Sequence, residues 1–458
     1  MLRSSRDFML WSSAVLLAGI VLSISVWPVL TLGTKVRFPG PNEGWNAYHA
    51  LHARSGQQLY PPPDSFLGNN YTPLSYHLLG LFPDPLLAGR AVSLLSWLGV
   101  GILTGMIVFR LTRDRLVSGL TAWLFLAFSA VHKCDYIARS DPQWLAEFLV
   151  LAGLYVLIRG DAEARCMPLC ATLMFVGGLV KQIVVPLPLA VTWWLFRHEP
   201  RSLRLWMLTS CILVLVTVLL FQALYGPNFF PSILVPQKHQ IKEMLNFRWV
   251  PTILPATLFV GVHLWRAREQ KWAELIIAYL VVACLWGFYL TGLPAVSRNR
   301  FFDYWVALCL GAGLLLASVT GRWLAASLVG LTLTILVVLP RSLSEQIAES
   351  SGLAHSQLVY ESDREWLASQ PGPIFSMDTT LLYWSGHTLE VDEFWFWERL
   401  ADGTIPLRTV AEKLNQRFYR VVLLREREFP VPSLRMVFES NYRPVRASST
   451  GWFFVPRT

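Results

Sequence analysis

Long apolar segments recur along the first three quarters of the chain, and they constrain its fold more than any other feature. A helix that crosses a bilayer needs about 20 apolar residues, because every backbone polar group must be bonded within it. With 54% apolar and only 15% charged residues, the chain lacks the polar surface of a soluble domain. We therefore predict an α-helical polytopic membrane protein. Its apolar runs lie near residues 8–32, 86–109, 116–131, 143–158, 166–180, 183–196, 205–225, 250–265, 273–293, 302–319 and 323–339, which gives about eleven spans.

The basic residues predict how these spans are oriented. Arg3 and Arg6 precede the first apolar run, which we interpret as a retained anchor with a cytoplasmic N-terminus. On this assignment Lys and Arg are about three times denser in the inner loops than in the outer loops, as the positive-inside rule requires. An odd number of spans then places the C-terminus outside. We predict a multi-pass protein of the inner (plasma) membrane.

The net charge of +9 is interpreted in the same way. Beside apolar spans, a basic excess indicates orientation and contact with anionic lipid headgroups. The sequence has no dense basic run or zinc spacing that would support nucleic-acid binding. Its six cysteines form no CxxC pair, and no metal or other cofactor is indicated.

The C-terminal part lacks long apolar runs, so we divide the chain into a membrane domain, 1–340, and an extracytoplasmic domain, 341–458. Helical and extended patterns alternate in the second part, which predicts a small α/β domain. The helices are expected at 359–370, 393–402 and 407–417, and the strands at 373–377, 419–424 and 451–456.

The first predicted outer loop, 33–85, is the longest, and its many aromatic residues indicate a functional loop. Glu43 stands at the start of a helix-like stretch and is a candidate general base. The alternative is that Asn42 or Glu43 only caps this helix. Glu43, His49 and His52 do not have the i, i+4 spacing that is typical of metal ligands.

A second acidic motif, RSDP at 139–142, closes the next predicted outer loop. An Asp before Pro is a good helix N-cap, which alone could explain Asp141. The charged neighbours favour a catalytic carboxylate, with Arg139 as a substrate ligand. Glu147 would lie about 9 Å deeper in the following helix, where a buried carboxylate needs a partner.

Two groups of cations lie on the same predicted face. Lys181 interrupts an apolar stretch and is either a snorkelling lysine or a phosphate ligand. Arg298 and Arg300 stand before a later span and indicate a bound anion; the alternative is an internal pair with Asp303. Carboxylates and cations on one face suit a reaction on a lipid-linked phosphate. The cations would hold the leaving phosphate, and a carboxylate would deprotonate an acceptor hydroxyl.

Four segments resemble a known group of enzymes. NEGWNAYHAL at 42–51 and RSDPQWLA at 139–146 resemble its two acidic motifs, and NNYTPLSYHLL at 69–79 resembles its Tyr-Pro-Pro-Leu segment. LVKQIVVPLP at 179–188 resembles its Lys-bearing segment. On these residues the chain resembles the GT-C superfamily of polytopic membrane glycosyltransferases. Within it, the chain is most similar to protein-mannosyltransferases, aminoarabinose transferases and bacterial lipopolysaccharide-core transferases.

The resemblance implies a GT-C-like fold and inverting transfer of a hexosyl or pentosyl group on the extracytoplasmic face. The donor would be a polyprenyl-phosphate sugar, and the acceptor a lipid, a glycan or a protein. It also implies Glu43 or Asp141 as the base and Lys181 as the cation that faces the phosphate. Relatives commonly have Asp-Glu in the first motif, with the Asp as the base, whereas this chain has Asn42. The base therefore stays open between the two carboxylates. Some members use a divalent metal, which nothing here indicates.

Other interpretations remain beside this one. A transporter or flippase of lipid-linked sugars would show inverted repeats and broken, charged helices at the membrane midplane. An inactive scaffold would use its tail to bind a partner. The aromatic residues Trp45, Tyr48 and Tyr71 would stack on sugar rings or form an interfacial belt. The candidate substrate-binding residues are Asn42, His49, Tyr71, Arg139, Lys181, Arg298, Asn299, Arg300 and Asp303.

Overall fold

The computed structural model describes residues 5–35, 42–234, 241, 250–293 and 298–458. It has a bundle of apolar helices and, after it, a unit that contains a four-stranded sheet. The bundle and its outer loops contain α1 (Ser5–Leu30), α2 (Asn42–Ser55), α3 (Leu74–Gly80), α4 (Pro85–Thr112), α5 (Arg115–Lys133), α6 (Gln143–Arg159), α7 (Met167–Val180), α8 (Pro186–His198), α9 (Pro200–Tyr225), α10 (Phe229–Ile233), α11 (Val250–Arg266), α12 (Lys271–Thr291), α13 (Phe302–Ser318) and α14 (Gly321–Leu336).

Each of the eleven predicted apolar runs lies on one of these helices, which confirms the fold class. Among the described residues, seven helices are long and apolar enough to cross a membrane. Four of the predicted spans, on α6, α7, α8 and α11, have 17, 14, 13 and 17 residues. The total of eleven crossings therefore stays a prediction. The seven are Ser5–Leu30, Pro85–Thr112, Arg115–His132, Pro200–Tyr225, Lys271–Thr291, Asn299–Ser318 and Gly321–Glu345.

Side-chain caps define the ends of two long helices. The Asp84 side chain accepts two backbone N–H bonds in the first turn of α4, each 3.1 Å long, and Pro85 occupies the first helical position. Asp114 caps α5 in the same way, with two bonds of 3.0 Å. Asp114 also forms an ion pair with Arg6, so the start of α1 lies beside the α4–α5 turn.

Three loops that were predicted to share the inner side, 159–165, 197–204 and 266–271, meet at one end of the bundle. Lys271 Nζ lies 2.8 Å from Glu199 and 3.5 Å from Asp161, and Arg197 lies 3.0 Å from Glu274. These ion pairs join the α6–α7 turn, the α8–α9 turn and the start of α12. The candidate site lies at the opposite end, and the side of the membrane that each end faces stays a prediction.

The long helix α15 (Leu339–Ala368) leads from the bundle into the C-terminal unit, so it crosses the boundary that we predicted at residue 340. The sheet has the order β1-β2-β4-β3, in which β1 and β2 are parallel and the other two pairs are antiparallel. Each predicted tail element coincides with an observed one, whereas α16, α19 and β3 were not predicted. The elements are β1 (Ile374–Ser376), α16 (Thr379–Trp384), α17 (Glu393–Asp402), α18 (Leu407–Asn415), β2 (Val421–Leu424), α19 (Pro432–Asn441), β3 (Tyr442–Ala447) and β4 (Trp452–Pro456).

The C-terminal unit packs directly on α2. The Gly44 N–H donates to Thr380 Oγ1 at 3.1 Å, and a Cβ at Gly44 would lie 2.3 Å from the Thr379 carbonyl carbon, so only glycine permits this approach. Trp45 Nε1 donates to Asp392, and Tyr48 donates its hydroxyl hydrogen to a backbone carbonyl of the same unit.

Trp45 and Tyr48 are therefore only 9% and 4% exposed. The C-terminal unit therefore covers much of both side chains, and their role as sugar platforms or interfacial belt residues stays a prediction.

Candidate functional site

A buried ion pair between Asp141 and Lys181 lies at the end of the bundle next to α2. Lys181 Nζ is 2.7 Å from Asp141 Oδ1, and both residues are at least 95% buried. The Gln143 N–H donates to the same oxygen at 2.9 Å. Asp141 Oδ2 is also buried and has no hydrogen-bond partner among the described residues. One oxygen of this carboxylate is thus fixed, and the other is available.

Helix ends explain why this pair forms. Asp141 precedes α6, whose N-terminus carries partial positive charge, and its carboxylate accepts the N–H of Gln143, the first residue of that helix. Lys181 follows α7 in an extended conformation, where the helix C-terminus carries partial negative charge. The ammonium lies 4.8 Å from the centre of the Tyr71 ring. Because Lys181 is 1% exposed, it is not a snorkelling lysine.

A second buried ion pair holds the other predicted carboxylate. Arg90 donates from Nε to Glu43 Oε1 at 2.9 Å and from Nη2 to Oε2 at 2.7 Å, and neither side chain is exposed. This is the bidentate geometry that arginine and carboxylate favour. Arg90 also donates to the Thr34 carbonyl at 2.7 Å. Both oxygens of Glu43 are therefore occupied.

Ser140 connects the two pairs. Its N–H donates to Glu43 Oε1 at 2.8 Å, and its carbonyl accepts from Asn46 Nδ2 at 2.8 Å. Glu43 thus fixes the backbone directly before Asp141. The Asn46 side-chain oxygen is buried without a partner among the described residues.

Arg139 is the third cation of the site and is 5% exposed. Its guanidinium lies over the Tyr136 ring at 5.1 Å, and its nearest carboxylate contact is to Asp135 at 4.0 Å. Nε of Arg139 is buried and has no hydrogen-bond partner within the described residues. Arg139 therefore has more free hydrogen-bonding capacity than Arg90, whose guanidinium forms a bidentate pair with Glu43.

Deeper in the bundle, Gln143 joins α6 to the segment before α13. It donates from Nε2 to Glu147 at 3.0 Å and accepts from Asn299 Nδ2 at 3.2 Å. The carboxyl group of Glu147 hydrogen-bonds to that of Asp303, which also accepts from the Tyr279 hydroxyl at 2.9 Å. Glu147 thus has the buried partners that the sequence required, and Asn299 and Asp303 belong to the same network.

Burial shifts the pKa of several groups in this region, among them Tyr71 and His49. Burial, and then the charge of Asp141, raise the pKa of Tyr71 above its ordinary range, so its hydroxyl stays protonated. Burial, and then His52, lower the pKa of His49 to about 3. His49 is therefore neutral at physiological pH, packed against the rings of Trp45 and Tyr76.

Two crystal structures of ArnT, a GT-C aminoarabinose transferase from Cupriavidus metallidurans, are similar to this chain. The apo structure has a TM-score of 0.62 at 16% identity and covers 96% of this chain and 98% of that chain. The chain has the ArnT fold. The second structure, bound to undecaprenyl phosphate, has a TM-score of 0.59 at 14% identity, covering 96% and 97%. No family model matches, and no curated protein matches.

The likeness to ArnT confirms the GT-C-like fold that the four sequence segments indicated. In this fold the predicted residues Glu43, Asp141, Lys181 and Arg139 come together around Ser140. Tyr71 joins them through Lys181. Asn299 and Asp303 join them through Gln143, as described above.

The other predicted residues lie around this group. Asn42 is a partly exposed residue at the start of α2, and Arg300 lies 5.8 Å from the Phe301 ring. The Arg298 side chain lies outside the described part of the structure. Within that part, no three His, Cys, Asp or Glu side chains gather as a metal site would need.

Sequence reasoning missed three contributors. Arg90 is the only charged residue of the apolar run 86–109, and an intramembrane charge of this kind signals a functional site or a buried partner. Asn46 and Gln143 carry no comparable signal, because their role depends on contacts with distant segments.

Proposed function

We propose that this protein is a membrane glycosyltransferase that moves a sugar from a polyprenyl phosphate to a lipid, glycan or protein acceptor on the extracytoplasmic face. The ArnT fold supports this proposal, as does the undecaprenyl phosphate bound to ArnT in one of the two crystal structures. The observation that carries it is the half-occupied carboxylate of Asp141. Oδ1 is fixed by Lys181 and Gln143, and the buried Oδ2 is available.

Asp141 is the base in this proposal. Its Oδ2 takes the proton of the acceptor hydroxyl while that oxygen attacks the anomeric carbon of the sugar. The bond between that carbon and the phosphate oxygen breaks, its electrons leave with the polyprenyl phosphate, and the configuration inverts. Holding Oδ1 in place orients Oδ2 without using it, so the carboxylate is ready for a proton.

Arg139 and Lys181 hold the phosphate. Arg139 has a buried, unused Nε–H, and Lys181 still has two ammonium hydrogens besides the one that Asp141 accepts. A guanidinium and an ammonium stabilise the negative charge that builds up on a leaving phosphate. The Arg298 and Arg300 positions stay candidates for the outer part of the same phosphate site.

Glu43 has a positioning role in the proposal. Its two oxygens receive three hydrogen bonds: Oε1 accepts from Arg90 and from the Ser140 N–H, and Oε2 accepts from Arg90. By holding Ser140 it sets the backbone that carries Arg139 and Asp141. This arrangement favours Asp141 over Glu43 as the base.

The test is transfer by the purified protein in lipid nanodiscs. Undecaprenyl phosphates that carry labelled hexoses or aminoarabinose are offered with lipid, glycan and protein fractions of a cell envelope. We expect transfer of label, with a loss of about 10²–10⁴-fold in Asp141→Asn. The matched control, Asp402→Asn at an exposed position of α17, should retain wild-type turnover. Movement of the labelled donor across the bilayer without transfer, or wild-type turnover in Asp141→Asn, would contradict the proposal.

A further inference from the structure

Two buried asparagine side chains flank the base, one on each side along the hydrogen-bond network. Asn46 lies on α2 and bonds to the residue before Asp141, and Asn299 lies before α13 and bonds to Gln143. They are 1% and 6% exposed. Neither residue is near the other in sequence, so the fold alone brings them to the same site.

The orientation of both amides is fixed by their nitrogen atoms. Asn46 Nδ2 donates to the Ser140 carbonyl at 2.8 Å, and Asn299 Nδ2 donates to Gln143 Oε1 at 3.2 Å. Since both of these partners can only accept, flipping either amide would set two oxygens against each other. Each side chain therefore presents its oxygen, an acceptor, to the remaining space.

Both amide oxygens are buried without a hydrogen-bond partner among the described residues. A buried acceptor that lacks a partner costs about 1–3 kcal/mol, so native proteins rarely keep one without a use. What these oxygens require is a hydrogen-bond donor, which the deprotonated phosphate of the carrier cannot supply. Their ligand therefore carries hydroxyl or amino groups.

We propose that Asn46 and Asn299 recognise the transferred sugar by accepting hydrogen bonds from its hydroxyl or amino groups. This inference rests on the glycosyltransferase function proposed above. In a single displacement the sugar lies between the acceptor hydroxyl, which Asp141 deprotonates, and the leaving phosphate. The sugar is therefore close to Asp141, whose neighbours Ser140 and Gln143 hold the two amides. The phosphate contacts only the cations, Arg139 and Lys181.

The division between sugar and phosphate contacts gives a binding test that needs no turnover. Affinity is measured for undecaprenyl phosphate and for the same carrier that bears glucose, mannose, galactose or aminoarabinose. We expect Asn46→Leu and Asn299→Leu each to lower the affinity for the tightest-binding sugar-bearing carrier about tenfold, as for one lost hydrogen bond. Asn299→Leu should bind the sugar-free carrier like the wild type, whereas Asn46→Leu, which also loses its bond to Ser140, should weaken binding of the sugar-bearing carrier more than binding of the sugar-free one. Asn415→Leu, at an exposed position of α18, is the matched control.

A second measurement uses the unaltered protein, so it does not depend on how the variants fold. Each sugar hydroxyl of the best carrier is replaced in turn by fluorine, which is similar in size but cannot donate. We expect at least one position to weaken binding about tenfold, and a variant that folds should lose its sensitivity at that position. Equal losses of affinity for the sugar-free and the sugar-bearing carriers in both variants would overturn the inference. So would an affinity that no fluorine substitution changes. Neither result would affect transfer itself, which the Asp141→Asn assay measures separately.

Discussion

The ion pair between Glu43 and Arg90 gives the sharpest test of how the two carboxylates divide their roles. In Glu43→Gln the Arg90 guanidinium, which is fully buried, loses its carboxylate partner. Removing one member of a buried pair costs about 3–5 kcal/mol, since the remaining charge stays desolvated without compensation. At about 1.4 kcal/mol per factor of ten, that is a loss of roughly 10²–10³ or more in the folding equilibrium constant. We therefore expect the denaturant midpoint of unfolding to be markedly lower in Glu43→Gln than in the wild type.

The double variant Glu43→Gln with Arg90→Met removes both charges together. A neutral glutamine can still accept the Ser140 N–H through its side-chain oxygen, so we expect the double variant to recover most of the lost stability. Unfolding in detergent micelles, followed by tryptophan fluorescence, measures this recovery. Sugar transfer, normalised to the folded fraction, measures the chemistry.

A stable Glu43→Gln that has lost transfer by a hundredfold would refute this reasoning. That result would make Glu43 the base and leave its pairing with Arg90 incidental. In contrast, a destabilised Glu43→Gln and an active double variant would support a positioning role for Glu43.

Three further predictions follow from single contacts. Lys181→Met should lower transfer about a hundredfold or more, because it removes both a phosphate ligand and the partner that orients the base. In the same assay, Lys181→Arg should retain more activity than Lys181→Met, since the positive charge is kept. Gly44→Ala should lower the melting temperature and the transfer rate, since a Cβ would press 2.3 Å from the Thr379 carbonyl carbon, whereas Gly119→Ala, with open space around its Cβ, should change neither. Burial holds the pKa of His49 at about 3, against 6.5 in the unfolded chain, so the unfolded state binds more protons between these two pH values. The free energy of unfolding should therefore fall as the pH drops below about 6.5, by up to about 1.4 kcal/mol per pH unit. Unfolding curves of His49→Gln should show a flatter decline with pH, and an unchanged decline would contradict the assignment.

The helices could be predicted from sequence because each one needs a continuous apolar run of its own. Lys271 and Arg197 lie at the same end of the bundle, as predicted for the inner loops, and the side of the membrane that this end faces stays a prediction. The number of membrane crossings was harder to predict, since α7 and α8 have only 14 and 13 residues. Whether such short helices span depends on their neighbours rather than on their own composition.

The site could be predicted only in part, for a related reason. Asp141 and Lys181 stood out because a charged residue beside an apolar run needs a purpose. That they pair with each other depends on how α6 packs against α7, which no local pattern reveals. Arg90 could have been found by the same rule that identified Lys181, whereas Asn46 and Gln143 are ordinary polar residues until the fold places them.

The first turn of α2 explains why the C-terminal unit matters for the site. Successive side chains of a helix point about 100° apart, so a single turn can contact several surroundings. Glu43 and Asn46 face the bundle, where they bind Arg90 and Ser140. Between them, the Gly44 N–H and the Trp45 indole bond to the C-terminal unit. The helix is thus held from two sides, and a disturbance of either side displaces the backbone that positions Asp141. The tail therefore contributes to the site through α2, even where it supplies no group that touches the substrate.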